Sequence, residues 1–337
     1  MKCCVIMNLY KNKIIVIGAT GETGTYLVDQ LIEGKHDVFA VGYKNVNKEY
    51  YKQKKIGCAS VDIRIKKDFE QLPIDNVHSV VLLSGFMPAR MKGYDPQKYI
   101  DVHVTGTLNT LEYCKKAKAE KIIFAQSHSD VAGFWNTGRY IKDDEQDINL
   151  IGDHAVYIIS KTAGVNLVRH YNKEFGIKDI IFRLPTIYCH GPYHDMYING
   201  KPGLVPYRLL IKKAMNNEPI EIWGDPNIAK DIVYVKDFVQ MIIKSITSAR
   251  AKGMYNVGSG LTTTLDEQVK GIVKVFSDPE NPSKISYQPQ KKSQTSYLYD
   301  ITKAKRDLDY IVKYPYMKML EDIKIEMNSN RFDHIAQ

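Results

Sequence analysis

From Lys13 to Ile17 the chain reads KIIVI, an unbroken β-branched run and the pattern of a strand covered on both faces. Gly18 to Gly24 supplies a turn, Thr25 to Glu33 (TYLVDQLIE) an amphipathic helix stopped by Gly34, and Asp37 to Val41 a second strand. The alternation continues through strands at Cys58–Val61, Ser79–Leu83, Lys121–Phe124 and Ile180–Leu184, with helices at Val102–Lys118 and Tyr157–Phe175. Strands alternating with helices predict an α/β fold built on a doubly wound parallel sheet, because each right-handed crossover needs a helix.

After Pro185 the texture changes. Pro192, Pro202, Pro206, Pro219 and Pro226 break residues 186–227 into short pieces, which predicts a cap beyond the sheet. Asp231–Val235 (DIVYV) and Met254–Val257 read as strands that return to the sheet, and helices follow at Leu265–Phe276, Thr302–Asp307 and Tyr316–Met327. The expected division is a dinucleotide-binding domain over 12–185 with its return at 228–258, and a smaller C-terminal α/β substrate domain from 186–227 and 259–327. Residues 1–11 are expected to be a ragged extension or a short edge segment, with an apolar stretch too short for a signal peptide.

Composition changes this picture little. The 337 residues are 44% hydrophobic and 25% charged, enough apolar material for a substantial core. No run approaches the roughly 18 apolar residues a membrane span needs. Five cysteines, with no C-x-x-C pair, predict reduced thiols in the cytoplasm rather than a disulfide framework or zinc site. Nine histidines show no metal-ligand spacing, so no metal is expected. A net charge of +9 comes from lysines spread along the chain: solvated faces, or a field drawing in an anionic ligand. No module for nucleic-acid binding accompanies it.

Two stretches carry the chemistry. Gly18-Ala19-Thr20-Gly21-Glu22-Thr23-Gly24 follows a strand and opens a helix, the setting in which a dinucleotide pyrophosphate rests on free N–H groups at the helix start. A glycine turn that binds nothing is the competing reading, and the flanking strand and helix argue against it. The second strand ends Val41-Gly42-Tyr43-Lys44 without the acid that commonly holds both ribose hydroxyls of NAD. Lys44 would meet a 2′-phosphate, which makes NADP the expected cofactor, with NAD as the alternative. Asp62, after the third strand, is expected to partner the adenine amino group. Tyr157 and Lys161 stand at i and i+4 of one helix and so share a face. The ammonium lowers the phenol's pKa, letting it exchange a proton with a sugar hydroxyl as the nicotinamide exchanges hydride. Ser127, at the end of the Lys121–Phe124 strand, is expected to hydrogen-bond the reacting hydroxyl, the alternative being a polar loop cap.

With GATGETG (18–24), VTGTLNTLEYCKKAKAEKIIF (104–124), YIISK (157–161), RLPTIY (183–188), KDIVYVKD (230–237), YNVGSG (255–260) and DITKAKRDL (300–308), the chain resembles the extended short-chain dehydrogenase/reductase family of NAD(P)-dependent sugar epimerases and dehydratases. The resemblance spans about Lys13 to Lys324. It implies a Rossmann-type sheet, a nucleotide sugar in the cleft beside the C-terminal domain, and a homodimer through a four-helix bundle. It gives Tyr157 the acid/base role, Lys161 the ribose and Ser127 the hydroxyl. The cofactor cleft would be completed by Ile63, Leu83, Ser84, Gly85 and Leu184, and the substrate side formed by Phe86, Met87, Ser129, Thr186 and Lys230. Lys230 stands where many members carry a phosphate-binding arginine, and lysine lacks its bidentate fork.

Other departures narrow the reaction. Aligning Val131-Ala132-Gly133 with the family's V-Y-G puts His128, Ser129 and Asp130 where dehydratases carry Thr-Asp-Glu, so 4,6-dehydration is not expected. The same register would make His128, not Ser127, the third group. His103 replaces the usual Asn before V-x-G-T, and Ser84-Gly85 the usual Ala-Ala. Gly133-Phe134 resembles a sugar-acid dehydrogenase branch. The expected activity is an epimerase or ketoreductase on a nucleotide-linked sugar. An NAD-dependent dehydrogenase of a free sugar or sugar acid, and a non-catalytic NADP sensor, are the alternatives.

Overall fold

The computed structural model describes residues 12–44, 46–152, 154–198 and 201–335; the expected N-terminal extension at 1–11 lies outside them. Seven strands form one sheet: β1 Lys13–Ile17, β2 Val38–Gly42, β3 Gly57–Ser60, β4 Val77–Leu82, β5 Lys121–Ser127, β6 Lys178–Leu184 and β7 Gly253–Asn256. Their order is β3-β2-β1-β4-β5-β6-β7, and every pairing is parallel. The chain runs outward in both directions from β1 and β4, so a switch point opens between their carboxyl ends.

Burial on both faces explains the β-branched runs. Ile14 and Val16 of β1 face one core with Leu27 and Leu31 of helix α1 (Glu22–Glu33). Ile15 and Ile17 face the other, with Leu111 of α2 (Gly106–Lys116) and Val165 and Val168 of α3 (His154–Phe175). Each such side chain contributes on the order of 1.5–3 kcal/mol by leaving water. The segment before α2 differs from the expected single helix. It starts at Pro96, passes through a π-helical turn at Asp101–Thr105 and only then becomes α2. α3 crosses this turn closely, since a Cβ on Gly164 would lie 3.0 Å from the His103 carbonyl oxygen.

The return to the sheet needs correction. Only Gly253–Asn256 joins it, beside β6. Ala229–Asp231 pairs antiparallel with Thr262–Thr264, and Val233–Tyr234 pairs with Ile187–Tyr188, both outside the seven-stranded sheet. The cause is Asp231: its buried carboxylate accepts from Ser259 N (2.6 Å), Ser259 Oγ (2.7 Å) and Gly260 N (2.9 Å), tying the segment across the 259–260 loop. Beyond β6, a hairpin (Asp195–Ile198 with Lys201–Leu204) leads to α4 (Pro206–Met215). Helix α5 (Val235–Thr247) packs against α1. Helix α6 (Leu265–Phe276), opened by a Thr264/Glu267 capping box, packs on α4 and on α7 (Tyr316–Glu326). Among the described residues no helix is long and apolar enough to cross a membrane.

Candidate active site

The glycine loop lies at the switch point and has no room for side chains. Gly18 adopts φ +98°, and a Cβ there would stand 2.9 Å from the Ser84 amide nitrogen. A Cβ on Gly24 would collide with the Gly18 carbonyl, so helix and strand meet only because both are glycine. Gly21 is the N-cap of α1 and no side chain caps the helix, leaving its first N–H groups for an anion. These features fit a dinucleotide pyrophosphate. Thr20 lies under Gly42, whose added Cβ would sit 2.7 Å from Thr20 Cγ2, and Thr23 is half-buried. The Glu22 carboxylate does not face the cradle. It accepts from Arg208 Nη2 (2.8 Å) and Tyr193 N (3.2 Å), so only its backbone remains for the ligand.

At the far end of the groove the structure assembles a corner that the motifs outlined only in part. Arg64 Nη2 donates to Tyr43 Oη at 3.0 Å, and the Lys44 ammonium lies 5.0 Å from the Tyr43 ring centroid. Asp62, expected to meet adenine, clamps Arg64, with Nε to Oδ1 at 2.9 Å and Nη2 to Oδ2 at 2.6 Å. That hydrogen bonding holds the Asp62 carboxyl below its ordinary range. Ile63 is buried against Gly106 at the start of α2, and its carbonyl accepts from Asn109. Leu83 and Ser84 donate their amides to the Ile17 carbonyl, and Leu184 pairs with Ser127 at the end of β6.

Tyr157 and Lys161 share the buried face of α3. Lys161 Nζ donates to the Ala125 carbonyl at 2.5 Å, and burial pulls its pKa down to about 8. Burial raises the Tyr157 phenol, the Ser127 hydroxyl pulls it back by hydrogen bonding, and Asp130 raises it. Ser127 Oγ also lies 3.2 Å from Ser129 Oγ, so both serines meet at the same strand end. His128 does not join them. Its Nδ1 is 2.8 Å from Tyr299 Oη and its ring packs on Trp135 and Tyr297; burial, then Arg183 and Lys230, push its pKa down to about 3. The register that favoured His128 as the third group therefore leads to an aromatic cluster.

Gly85, expected on the cofactor side, sits between two groups: an added Cβ would be 3.6 Å from Lys161 Nζ and 3.7 Å from His103 Nε2. Phe86 is held by its amide on His103, Met87 is half exposed, and Thr186 is exposed. The Lys230 ammonium lies 5.9 Å from the Tyr188 ring centroid. Three arginines that organise the site region escaped sequence reading. Arg183 interrupts the apolar Ile180–Leu184 run, and a charge there signals a buried partner, which is Asp130 at 2.7 Å. Arg64 carried no signal, and Arg208 only the apolar register of its helix.

The chain thus combines a Rossmann-type sheet, a glycine turn at its switch point and a buried Tyr–Lys pair on α3. The model described as the NAD dependent epimerase/dehydratase family matches residues 14–258. A putative UDP-glucose 4-epimerase of Methanocaldococcus jannaschii is 29% identical over 254 residues, 75% of this chain and 79% of that protein. The dTDP-4-dehydro-6-deoxyglucose reductase of Escherichia coli is 26% identical over 278 residues, 79% of this chain and 82% of the relative. The UDP-glucose 4-epimerase of Thermus thermophilus, in complex with NAD, superposes with a TM-score of 0.72 at 18% identity, covering 96% of this chain and 99% of that one. At that identity the likeness is one of fold. The family match spans most of the chain and both halves of the site, and the protein belongs to the NAD dependent epimerase/dehydratase family, of the extended short-chain dehydrogenase/reductase type.

Proposed function

We propose that this protein inverts a hydroxyl-bearing carbon, C4, of a nucleotide-linked sugar, with Tyr157 as acid/base. The observation that carries the reading is the buried Tyr157, with Lys161 one turn on and Ser127 bonded to it, at the end of β5 beside the glycine cradle. A bound nicotinamide dinucleotide supplies reversible hydride acceptance. Tyr157 exchanges the proton of the sugar hydroxyl and Ser127 orients that hydroxyl with Ser129 behind it, while Lys161, which does not enter the influences on the phenol as expected, would hold the nicotinamide ribose. Phe86, Met87, Thr186 and Lys230 would line the sugar nucleotide, with residues 186–227 and 259–327 as the substrate unit. A reductase of a nucleotide-linked keto sugar is the second reading, favoured by the Escherichia coli relative.

The assay is incubation with UDP-glucose, followed by product analysis and absorbance of reduced nicotinamide. Appearance of UDP-galactose with no net absorbance change is expected. Net oxidation of added NADPH by a nucleotide-linked ketosugar identifies the reductase instead, and failure of both reactions rejects the proposal.

The family description and the Thermus neighbour carry NAD. What supports NADP in this chain is the acid-free end of β2 together with the Tyr43–Lys44–Arg64 corner. Lys44→Ala combined with Arg64→Ala is expected to weaken NADP binding by about tenfold or more while leaving NAD nearly unchanged, as charge-assisted bonds to phosphate require. Titration calorimetry with each dinucleotide measures this; wild-type protein that prefers NAD and an unchanged double variant would make NAD the cofactor. A homodimer is proposed on the exposed apolar side chains Ile100, Leu108 and Ile159 of the 96–116 segment and α3. A reducing compartment, the cytoplasm, is proposed on Cys58, Cys114 and Cys189, which are all free thiols.

A further inference from the structure

We propose that His103 is a positioning residue: it ties the wall of the sugar pocket to the catalytic helix and so sets where the substrate lies relative to Tyr157. The inference rests on the reading of Tyr157 as the acid/base. It starts from one hydrogen-bonded chain with a fixed direction. The Phe86 amide donates to His103 Nε2 at 3.0 Å, so that nitrogen carries no proton. The proton is then on Nδ1, which donates to Ser160 Oγ at 2.9 Å, and Ser160 Oγ donates to the Tyr157 carbonyl at 2.8 Å. Each donor in this run has one acceptor, and each link joins a different part of the site.

The backbone is shaped to allow it. His103 is the middle residue of the π-helical turn Asp101–Thr105, and Gly164 of α3 passes beneath its carbonyl. Such turns are often retained at functional sites. The imidazole is almost wholly buried, 2% exposed, stacked beside Tyr99 and edge-on to Tyr157 with ring centroids 5.4 Å apart. The titratable groups that face it are Lys161, Tyr157 and Tyr99. Burial, then the Lys161 charge, push its pKa down to about 2. A proton on Nε2 would also turn an acceptor into a donor facing the Phe86 N–H. His103 therefore works as a neutral bridge and carries no proton in the reaction.

The loop it anchors continues to the cap. Arg90 donates to the carbonyls of Asp195 and Tyr193, and its guanidinium lies 5.3 Å from the Tyr193 ring centroid. Residues 86–90 thus run as a strap from the catalytic helix to the cap hairpin, with His103 fixing one end.

Two variants separate the links. In His103→Asn the amide can replace Nδ1 toward Ser160 but does not reach Phe86. In His103→Gln the amide oxygen can replace Nε2 as acceptor for Phe86. Hydrogen exchange at the Phe86 amide is expected to accelerate about tenfold or more in His103→Asn, the loss of one buried bond, and to stay within about threefold in His103→Gln. With UDP-glucose, His103→Asn should raise KM about tenfold with kcat little changed, and His103→Gln should recover most of it. Equal exchange in the two variants, or a fall in kcat without a rise in KM, overturns the proposal. In wild-type protein, nitrogen-15 NMR should show the Nδ1–H tautomer throughout pH 5–9, and protonation in that range also overturns it, even if neither variant folds. The exchange and NMR results need no substrate, so they stand or fall separately from turnover: protected Phe86 with no sugar conversion would reject the proposed function and leave the bridge intact.

Discussion

Tyr157→Phe is expected to lower turnover by about 10²–10⁴-fold, the range that a positioned proton donor and acceptor contributes. Dinucleotide affinity should change by less than about threefold, because the removed oxygen is hydrogen-bonded to Ser127 and, in the proposed reaction, meets the sugar hydroxyl rather than the dinucleotide. The ring itself is packed edge-on against Tyr99 and His103, and phenylalanine keeps those contacts, so folding should be nearly unaffected. Lys161 keeps its own contact in this variant. Its ammonium is committed to the Ala125 carbonyl, and its pKa of about 8 keeps it charged at neutral pH. Rate measurements on the purified variant, with dinucleotide binding measured in parallel, check both halves. Activity within about tenfold of wild type would remove Tyr157 from the mechanism.

Arg183→Leu is expected to destabilise the protein by about 3–5 kcal/mol, the loss that follows when one partner of a buried pair is removed and the other charge remains. The Arg183 side chain is buried and hydrogen-bonded through all three of its nitrogens. Nε donates to Asp130 Oδ1 (2.7 Å), Nη1 to Asn256 Oδ1 (2.8 Å) and the Lys142 carbonyl (3.2 Å), and Nη2 to the Glu145 carbonyl (2.7 Å). Three regions meet there: the end of β5, the 142–145 loop and the edge strand β7. Burial already raises the Asp130 carboxyl, with Arg183 as the first opposing influence. Adding Asp130→Asn to Arg183→Leu removes the stranded charge and should restore part of the loss. Urea unfolding of the single and double variants measures this, and a single-variant loss below about 1 kcal/mol would show that the pair is dispensable.

The placements legible in sequence are those whose information is local. The glycine loop and the Tyr157/Lys161 pair depend on spacing within one turn or one helix, so composition and periodicity sufficed. The stretch DIVYV was recognisable as extended chain, but neither its break at Ile232 into two short strands nor their partners were, because strand propensity carries no address. Its pairing is decided by Asp231 and the Ser259–Gly260 amides, a contact across 28 positions. Arg64 reaches Tyr43 only because β2 and β3 pair with Val41 opposite Ala59, a register that no short window contains. His128 shows the opposite failure. Alignment by motif proposed it as catalytic, whereas its ring is held by Tyr299, 171 positions away.

One apolar cluster includes Ile14, Val16 and Leu27 of the sheet layer and also Ile222, Val269 and Leu320 of the cap side, continuous among the described residues. The segments expected as two units are therefore continuous in substance. Neither can be excised cleanly: separating them would bare the apolar flank of each, leaving fragments that stick to one another or to anything else greasy.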